Sequence, residues 1–127
     1  MNEVRHYMDT EPPMCTHLTS IENIKKIMEE KNTMELLVVD TLLEKHLMGV
    51  INGGDIFTKS VSLNVPPSDL NAEQCMKPIR YMITETSSLG DCQRFMKENH
   101  LRRVPVVDKE GHVSGLFDEE KTMRNIG

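Results

Sequence analysis

The strongest constraint on how this chain folds is an internal repeat. When the sequence is displaced by 68 positions, residues 8–40 align with residues 76–108 without a gap. The identical pairs are Met8/Met76, Met14/Met82, Thr16/Thr84, Ser20/Ser88, Met28/Met96, Glu30/Glu98, Val38/Val106, Val39/Val107 and Asp40/Asp108. After Asp40 the first copy carries two extra residues, so that Gly49 aligns with Gly115. A repeat of this length predicts one supersecondary unit that is built twice.

Both copies predict the same order of elements. A short extended segment precedes a serine whose hydroxyl can accept a hydrogen bond from a free N–H in the first turn of a helix. Apolar residues at helical spacing follow, then an uninterrupted apolar run that favours a buried strand. In the first and second copy these segments are the extended residues 13–16 and 80–84, the caps Ser20 and Ser88, the apolar runs 36–39 and 104–107, the next strands 47–51 and 113–117, and last helices from about Gly53 and about Asp118.

The sequence therefore predicts an α+β fold made of two tandem β-α-β-β-α repeats. Residues 1–60 are predicted to form the first repeat and residues 72–127 the second. Two consecutive prolines at 66–67 disfavour helix and sheet pairing, so residues 61–71 are predicted to be a linker. A copy of ~55 residues buries little surface alone, so we expect the repeats to pack by pseudo-twofold symmetry into one module.

Composition argues against several classes of function. The net charge is −5, whereas nucleic-acid-binding proteins usually carry a basic excess. No apolar run approaches the ~18 residues of a membrane span, and the first residues lack the apolar region of a signal peptide. The three cysteines have no Cys-x-x-Cys spacing and the five histidines are scattered, so neither a disulfide framework nor a metal site is predicted. We expect a cytoplasmic protein that binds neither nucleic acid nor membrane.

The motifs of the second copy resemble those of the tandem cystathionine-β-synthase (CBS) domain pair, also called a Bateman module. Residues 75–78 (CMKP) are similar to the family's V-M-T-P, and residues 101–108 (LRRVPVVD) to its h-x-R-h-P-V-V-D. Residues 111–117 (GHVSGLF) are similar to its G-x-h-x-G-h-h. The first copy is more divergent, with Leu37 in place of the proline. Together the two copies extend the resemblance over residues 7–125.

The resemblance implies a binding module rather than an enzyme. CBS pairs bind adenosine-containing ligands such as AMP, ADP, ATP or S-adenosylmethionine in clefts between the two copies, and they commonly regulate an attached or partner protein. With no domain beyond the pair, we expect this chain to act on a separate, unidentified protein. CBS pairs often associate in twos through the helices that follow each opening strand and the terminal helices, so a homodimer is expected. No obligatory cofactor is implied.

Carried onto this chain, the family's first cleft uses the end of copy one and the start of copy two. It comprises Val50, Ile79 and Tyr81 beside the adenine, and Asn52, Asp55, Lys77, Arg102 and Arg103 near the ribose and phosphates. Asp55 stands where the family has a carboxylate that accepts hydrogen bonds from both ribose hydroxyls. Asn52 replaces the family's Ser or Thr, and the guanidinium groups of Arg102 and Arg103 suit a phosphate.

The second cleft departs further from the family pattern. It comprises Met34, Glu35, Leu116, Asp118 and Lys121. Lys121 stands in place of the ribose carboxylate, and Asp118 stands at the phosphate contact. Because carboxylates at positions 35, 118 and 119 would repel a phosphate, we expect this cleft to be empty or to hold an uncharged or S-adenosyl-type ligand.

Structural interpretations stay open for the same residues. Asp55 can simply cap the short helix after Gly54, Asp118 can be an N-cap, and the Arg102–Arg103 pair can be solvated at a strand edge. If the clefts have lost their ligand, the chain is a structural dimerisation or scaffold module. An enzyme is the least supported class, because no Ser-His-Asp motif or P-loop occurs.

Overall fold

The computed structural model describes residues 2–121. Its helices are α1 (Ile21–Glu30), α2 (Gly53–Leu63), α3 (Ala72–Cys75) and α4 (Leu89–Glu98), and its strands are β1 (Met14–Thr16), β2 (Glu35–Val39), β3 (Leu47–Asn52), β4 (Lys77–Pro78), β5 (Ile83–Thr84), β6 (Arg103–Val107) and β7 (Val113–Asp118). Residues 119–121 are helical, and the rest of the predicted second terminal helix lies outside the described residues. No helix within residues 2–121 combines the length and the apolar character needed to cross a bilayer.

The predicted α+β class and the repeated β-α-β-β order are confirmed. The helix starts follow from the predicted serine caps, because Ser20 Oγ accepts from the N–H of Asn23 at 3.2 Å and Ser88 Oγ from that of Asp91 at 3.0 Å. Each helix then buries its apolar stripe. In α1 the buried side chains are Ile21, Ile24 and Met28, and in α4 they are Cys92 and Met96.

The chain divides into two compact units, which do not follow the two copies of the repeat. We call residues Pro13–Ile79 the central unit, and Met1–Pro12 together with Arg80–Gly127 the terminal unit. The first residues of each copy thus pack within the unit that holds the later strands of the other copy. The predicted linker, residues 61–71, continues α2 as far as Leu63 and contributes Leu70 to the core of the central unit.

The central unit contains a four-stranded sheet in the order β1-β2-β3-β4. β1 pairs in parallel with β2, and β3 pairs antiparallel with both β2 and β4. In the last pair Gly49 lies opposite Pro78 and Val50 opposite Lys77. This register joins the end of copy one to the start of copy two, and it positions the site described below.

The terminal unit contains a three-stranded sheet in the order β5-β6-β7. Its core includes Val104, Val106 and Phe117 from the two long strands, and Val4 from the N-terminal segment. That segment is held by backbone hydrogen bonds, since Asp9 and Leu116 exchange two N–H···O bonds of 2.9 Å. The N-terminal segment therefore packs on the core of this sheet and bridges to β7 at Asp9.

Gly49 and Gly115, which align in the two copies, each allow another segment to approach closely. A Cβ at Gly49 would lie 2.5 Å from the carbonyl oxygen of Lys77, and one at Gly115 would collide with that of Asp9. Only a residue without a side chain fits such an approach. Gly49 therefore permits β4 to pack on β3, and Gly115 permits the N-terminal segment to pack on β7.

Candidate functional site

The start of α2 is built from Asn52 and Asp55, which cap the helix reciprocally. Asn52 Oδ1 accepts from the N–H of Asp55 at 2.9 Å, and Asp55 Oδ2 accepts from the N–H of Asn52 at 3.3 Å. This arrangement is a capping box, which satisfies two N–H groups that a helix start otherwise leaves free. The structural alternative for Asp55 is thus present in the molecule, and Asn52 rather than Asp55 is the N-cap residue.

Lys77 forms an ion pair with Asp55. Its Nζ lies 3.1 Å from Asp55 Oδ1, and the Asp55 side chain is only 10% exposed while that of Lys77 is 71% exposed. The pairing of β3 with β4 places Lys77 beside half-buried Val50, and half-buried Ile79 follows two residues later. The central unit thus brings together an apolar strand surface, a carboxylate and an ammonium group.

Asp55 has a second lysine close to it in the chain. Lys59 lies one turn further along α2, and its charge and that of Asp55 both act on the buried thiol of Cys75. Burial raises the pKa of Cys75, the positive charge of Lys59 opposes this, and the negative charge of Asp55 adds to it. One carboxylate and two lysines therefore lie in this part of the unit.

The terminal unit holds the predicted arginines. Arg103 is the first residue of β6 and lies directly opposite Asp118 in β7, so their side chains leave the same face of the sheet. Arg102 precedes the strand, and its carbonyl accepts from the N–H of Glu119 at 3.0 Å. Both arginines are exposed. A carboxylate side chain therefore leaves this sheet on the same face as the arginine that was predicted to bind a phosphate.

Tyr81 belongs to the terminal unit as well. Its ring packs edge-to-face on Phe95, with 6.0 Å between the ring centroids, and the side chain is half-buried. The structure thus groups Val50, Asn52, Asp55, Lys77 and Ile79 in the central unit and Tyr81, Arg102 and Arg103 in the terminal unit. That these two groups serve one ligand stays a prediction.

The residues predicted for the second cleft also divide between the units. In the central unit Met34 is 69% exposed, and Glu35 lies opposite Asn52 in the β2–β3 pair. In the terminal unit half-buried Leu116 bonds the N-terminal segment, and Asp118 Oδ1 accepts from the N–H of Lys121 at 3.2 Å. Asp118 thus makes the N-cap hydrogen bond that its structural interpretation predicts.

A pocket of about 470 Å³ lies within the central unit, between the end of α1 and the start of α2. It is lined by Lys25, Met28, Glu29, Asn32, Thr33, Met34, Gly53 and Ile56. Its walls are mostly aliphatic and thioether groups. Of the side chains predicted to bind a ligand only Met34 lines it, and neither Asp55 nor Lys77 does.

Sequence reasoning missed a pair of equivalent Asp–His contacts in the two hairpins. Asp40 Oδ2 lies 2.7 Å from His46 Nδ1, and Asp108 Oδ2 lies 3.1 Å from His112 Nδ1. In each hairpin the other carboxylate oxygen accepts from the backbone N–H of the same histidine. The signal was available, because the alignment that places Gly49 on Gly115 also places His46 on His112.

These contacts lower the pKa of both aspartates. At Asp40 desolvation acts to raise the pKa, but the His46 side chain and the N–H groups of Thr41 and His46 outweigh it and hold the value at about 2. At Asp108 the backbone N–H of His112 is the main cause of the lower pKa. The two carboxylates therefore stay charged in the folded protein well into the acidic range.

The family model for the CBS domain matches this chain twice, at residues 4–62 and 72–126. Among curated proteins, the chain is 25% identical over 93 residues to the CBS domain-containing protein CBSCBSPB5 of Arabidopsis thaliana. That match covers 73% of this chain but only 16% of the Arabidopsis protein.

Solved structures with the same fold cover almost the whole chain. Hypoxic Response Protein I, solved with two coordinated zinc ions, superposes with a TM-score of 0.80 at 19% identity over 98% of this chain and 99% of the other. CBSX2, solved in complex with AMP, gives a TM-score of 0.79 at 21% identity over 99% and 96% of the two chains.

Proposed function

Because this chain belongs to the CBS domain family and contains two copies of the domain, we propose that it is a regulatory module that binds an adenine nucleotide, AMP, ADP or ATP, and acts on a partner protein. A structural relative that binds AMP, CBSX2, supports the class of ligand. In this proposal the chain carries out no catalysis of its own, works in the cytoplasm and contacts neither nucleic acid nor membrane.

The observation that carries the proposal is the position of the Asp55 carboxylate. It is held by the start of α2, is 10% exposed, and pairs with Lys77, which the β3–β4 register places opposite half-buried Val50. A carboxylate can accept hydrogen bonds from two neighbouring hydroxyl groups, because it has two oxygens and about four lone-pair sites. In this proposal the ribose diol donates hydrogen bonds to the Asp55 carboxylate, and the adenine packs on the side chains of Val50 and Ile79.

The ligand test is a thermal-shift series with AMP, ADP, ATP, S-adenosylmethionine and adenosine. A ligand that binds only the folded state adds about 2.7 kcal/mol of stability at a concentration 100 times its Kd, so the melting temperature should rise. Asp55→Ala should lose the shift for all ribose ligands. The proposal fails if the folded parent shows no shift with any of them at millimolar concentration.

A matched control separates the loss of a ligand contact from the loss of a helix cap. Asn71 and Gln74 form the same kind of capping box at α3, with hydrogen bonds of 3.2 and 3.0 Å. Asp55→Ala and Gln74→Ala each remove one side-chain hydrogen bond to the N-cap backbone and should cost about 0.5–1.5 kcal/mol of stability for that bond. Only Asp55→Ala should reduce ligand binding.

The role of the terminal unit in phosphate binding is tested through Arg103. We propose that Arg103→Ala weakens the binding of AMP, ADP and ATP. The affinity for adenosine should stay unchanged, because a nucleoside has no phosphate for the guanidinium to pair with. Lys109→Ala, another exposed cation of the same unit, is the control. If Arg103→Ala and the parent bind AMP with equal affinity, Arg103 does not contact the phosphate.

A structural dimerisation or scaffold module is the second candidate, and an exposed apolar face of α2 favours it. Phe57 and Val61 lie one turn apart on this helix and are 70% and 63% exposed. Large apolar side chains that cluster on a surface mark interaction sites. We propose that this face forms a homodimer, with or without a nucleotide.

Light scattering tests the dimer. Phe57→Glu should shift the mass from dimer to monomer, because it places a charge in a desolvated interface. Leu43→Glu, which alters an 88% exposed leucine in the β2–β3 turn, should leave the mass unchanged. A monomeric parent would contradict the proposed dimer.

A further inference from the structure

Both oxygens of the Asp55 carboxylate already have a partner within the central unit. Oδ2 accepts from the backbone N–H of Asn52 at 3.3 Å, and Oδ1 pairs with Lys77 Nζ at 3.1 Å. The first contact is part of the capping box of α2, so its loss would leave the N–H of Asn52 without this partner. The second contact is made by a side chain, so it is the one that a ligand can replace.

Lys77 is suited to leave Asp55 without disturbing the fold. Its side chain is 71% exposed, and its backbone is fixed separately by the β3–β4 pairing. An ammonium group on a four-carbon stem can move to a new partner by side-chain rotation alone. Because the ammonium group of Lys77 already lies largely in water, it loses little when it leaves Asp55, although the carboxylate itself is only 10% exposed.

We propose that Lys77 determines specificity for phosphorylated ligands, by holding the Asp55 carboxylate in the free protein and pairing with the phosphate once a ribose has displaced it. The inference rests on the proposed function. Every ligand with a ribose diol must displace Lys77 from Asp55, and the free energy needed for this is the same for all of them. Only a ligand with a phosphate then offers the freed ammonium group a new partner, so nucleotides gain over nucleosides and S-adenosyl compounds.

Lys77→Met tests this with two ligands, because methionine keeps much of the apolar stem and removes the charge. Adenosine should bind about twofold to fivefold more tightly to the variant, which no longer has an ion pair to displace. The ratio of the adenosine Kd to the AMP Kd should fall about tenfold through loss of a charge-assisted phosphate contact. The displacement cost is common to both ligands and cancels in that ratio.

Lys59→Met is the matched control, since Lys59 lies on α2 one turn after Asp55 and its charge reaches the same region. It removes one positive charge but leaves the Asp55–Lys77 pair in place. Its adenosine Kd, and its ratio of adenosine to AMP Kd, should stay within twofold of the parent values.

The salt dependence of adenosine binding gives a readout that a purely structural role of Lys77 would not change. Adenosine is uncharged, so in the parent protein salt acts mainly by weakening the ion pair that the ribose must displace. Adenosine binding to the parent should therefore tighten as salt approaches ~1 M, where the screening length is ~3 Å. Binding to Lys77→Met should show no such trend.

The outcomes separate this inference from the proposed function. If the parent binds both ligands and Lys77→Met leaves the adenosine Kd unchanged, Lys77 does not hold the carboxylate against the ribose. If the variant changes both Kd values by the same factor, Lys77 does not contact the phosphate. If neither protein binds adenosine or AMP while both remain folded, the proposed function fails and this inference fails with it.

Discussion

Gly49 and Gly115 show how one residue type at two aligned positions sets the packing of both units. Each lies in the middle of a strand, where glycine is usually unfavourable because it loses more chain entropy than other residues. The benefit is the close approach of a backbone carbonyl, from Lys77 in one unit and from Asp9 in the other. The glycines are therefore determinants of the fold.

Alanine substitution distinguishes these glycines from one that has no such role. Gly115→Ala should lower the free energy of unfolding by about 1–3 kcal/mol, because the added methyl group forces the Asp9 backbone to move. Gly90→Ala should raise it by about 0.5–1 kcal/mol, since Gly90 is helical and a Cβ there meets nothing within 4 Å. Urea unfolding measures both, and a stabilised Gly115→Ala would contradict the packing described for β7.

The sequence placed Asp55 and Lys77 in the same predicted cleft, but it did not predict that they form an ion pair. The family motif and the three-residue spacing from Asn52 both point to Asp55, and the spacing is a local property of a helix start. Lys77 lies 22 residues further along and meets Asp55 only through the register of β3 with β4. A pairing between a six-residue strand and a two-residue strand leaves no periodic signal in the sequence.

The two hairpins are equivalent elements whose Asp–His contacts make the stability of the fold depend on pH. Asp40 and Asp108 have pKa values below the ordinary 3.8 in the folded state, and that of Asp40 is about 2. A carboxylate with a lowered folded pKa stabilises the protein fully above its unfolded pKa. That contribution is lost as pH falls from about 4 towards 2.

We therefore predict that Asp40→Asn and Asp108→Asn reduce the loss of stability between about pH 4 and pH 2 in urea unfolding. Asparagine keeps an oxygen for the backbone N–H groups but cannot carry the charge that the lower pKa reflects. Asp91→Asn, at an exposed ion pair on α4, is the control. If the double variant and the parent lose stability in parallel over this range, the hairpin contacts do not carry the pH dependence.

The long elements were predictable because their signals are local. Caps at Ser20 and Ser88, apolar stripes of period 3.6 and unbroken apolar runs all act within a dozen residues, and they located α1, α4, β2 and β6. The short strands were located less well. Residues 80–84 were predicted to be extended, but only Ile83–Thr84 form β5, and β4 was not predicted as a strand.

The division of the chain into units follows from contacts that the repeat alone could not reveal. Sequence alignment of the copies, and the family match, place the boundaries near residues 60 and 72. The compact units instead combine residues 1–12 with residues 80–127, because the N-terminal segment completes the core and the sheet edge of the terminal unit. The repeat boundaries follow from the sequence similarity of the two copies. The unit boundaries follow from which segments pack together in the fold.

Removal of residues 2–9 should therefore destabilise a sheet that lies about a hundred residues later in the chain. The Val4 side chain is fully buried in the core of the terminal unit. Its removal should lower the free energy of unfolding by about 2 kcal/mol or more. Hydrogen exchange should accelerate in β6 and β7 by a larger factor than in β2 and β3. Equal acceleration in both sheets, or none, would contradict the assignment of the N-terminal segment to the terminal unit.

The central claim is that the Asp55 carboxylate recognises the ribose diol of an adenine nucleotide. Calorimetric titration of the parent and of Asp55→Ala with AMP and with 2′,3′-dideoxy-AMP, which lacks both hydroxyl groups, tests it most directly. The parent should bind AMP about tenfold or more tightly than the dideoxy compound, because hydrogen bonds to a charged group are worth about 1.5–3 kcal/mol. Asp55→Ala should bind the two alike. Equal affinity of the parent for both compounds, or no heat from a folded parent at millimolar AMP, would contradict the claim.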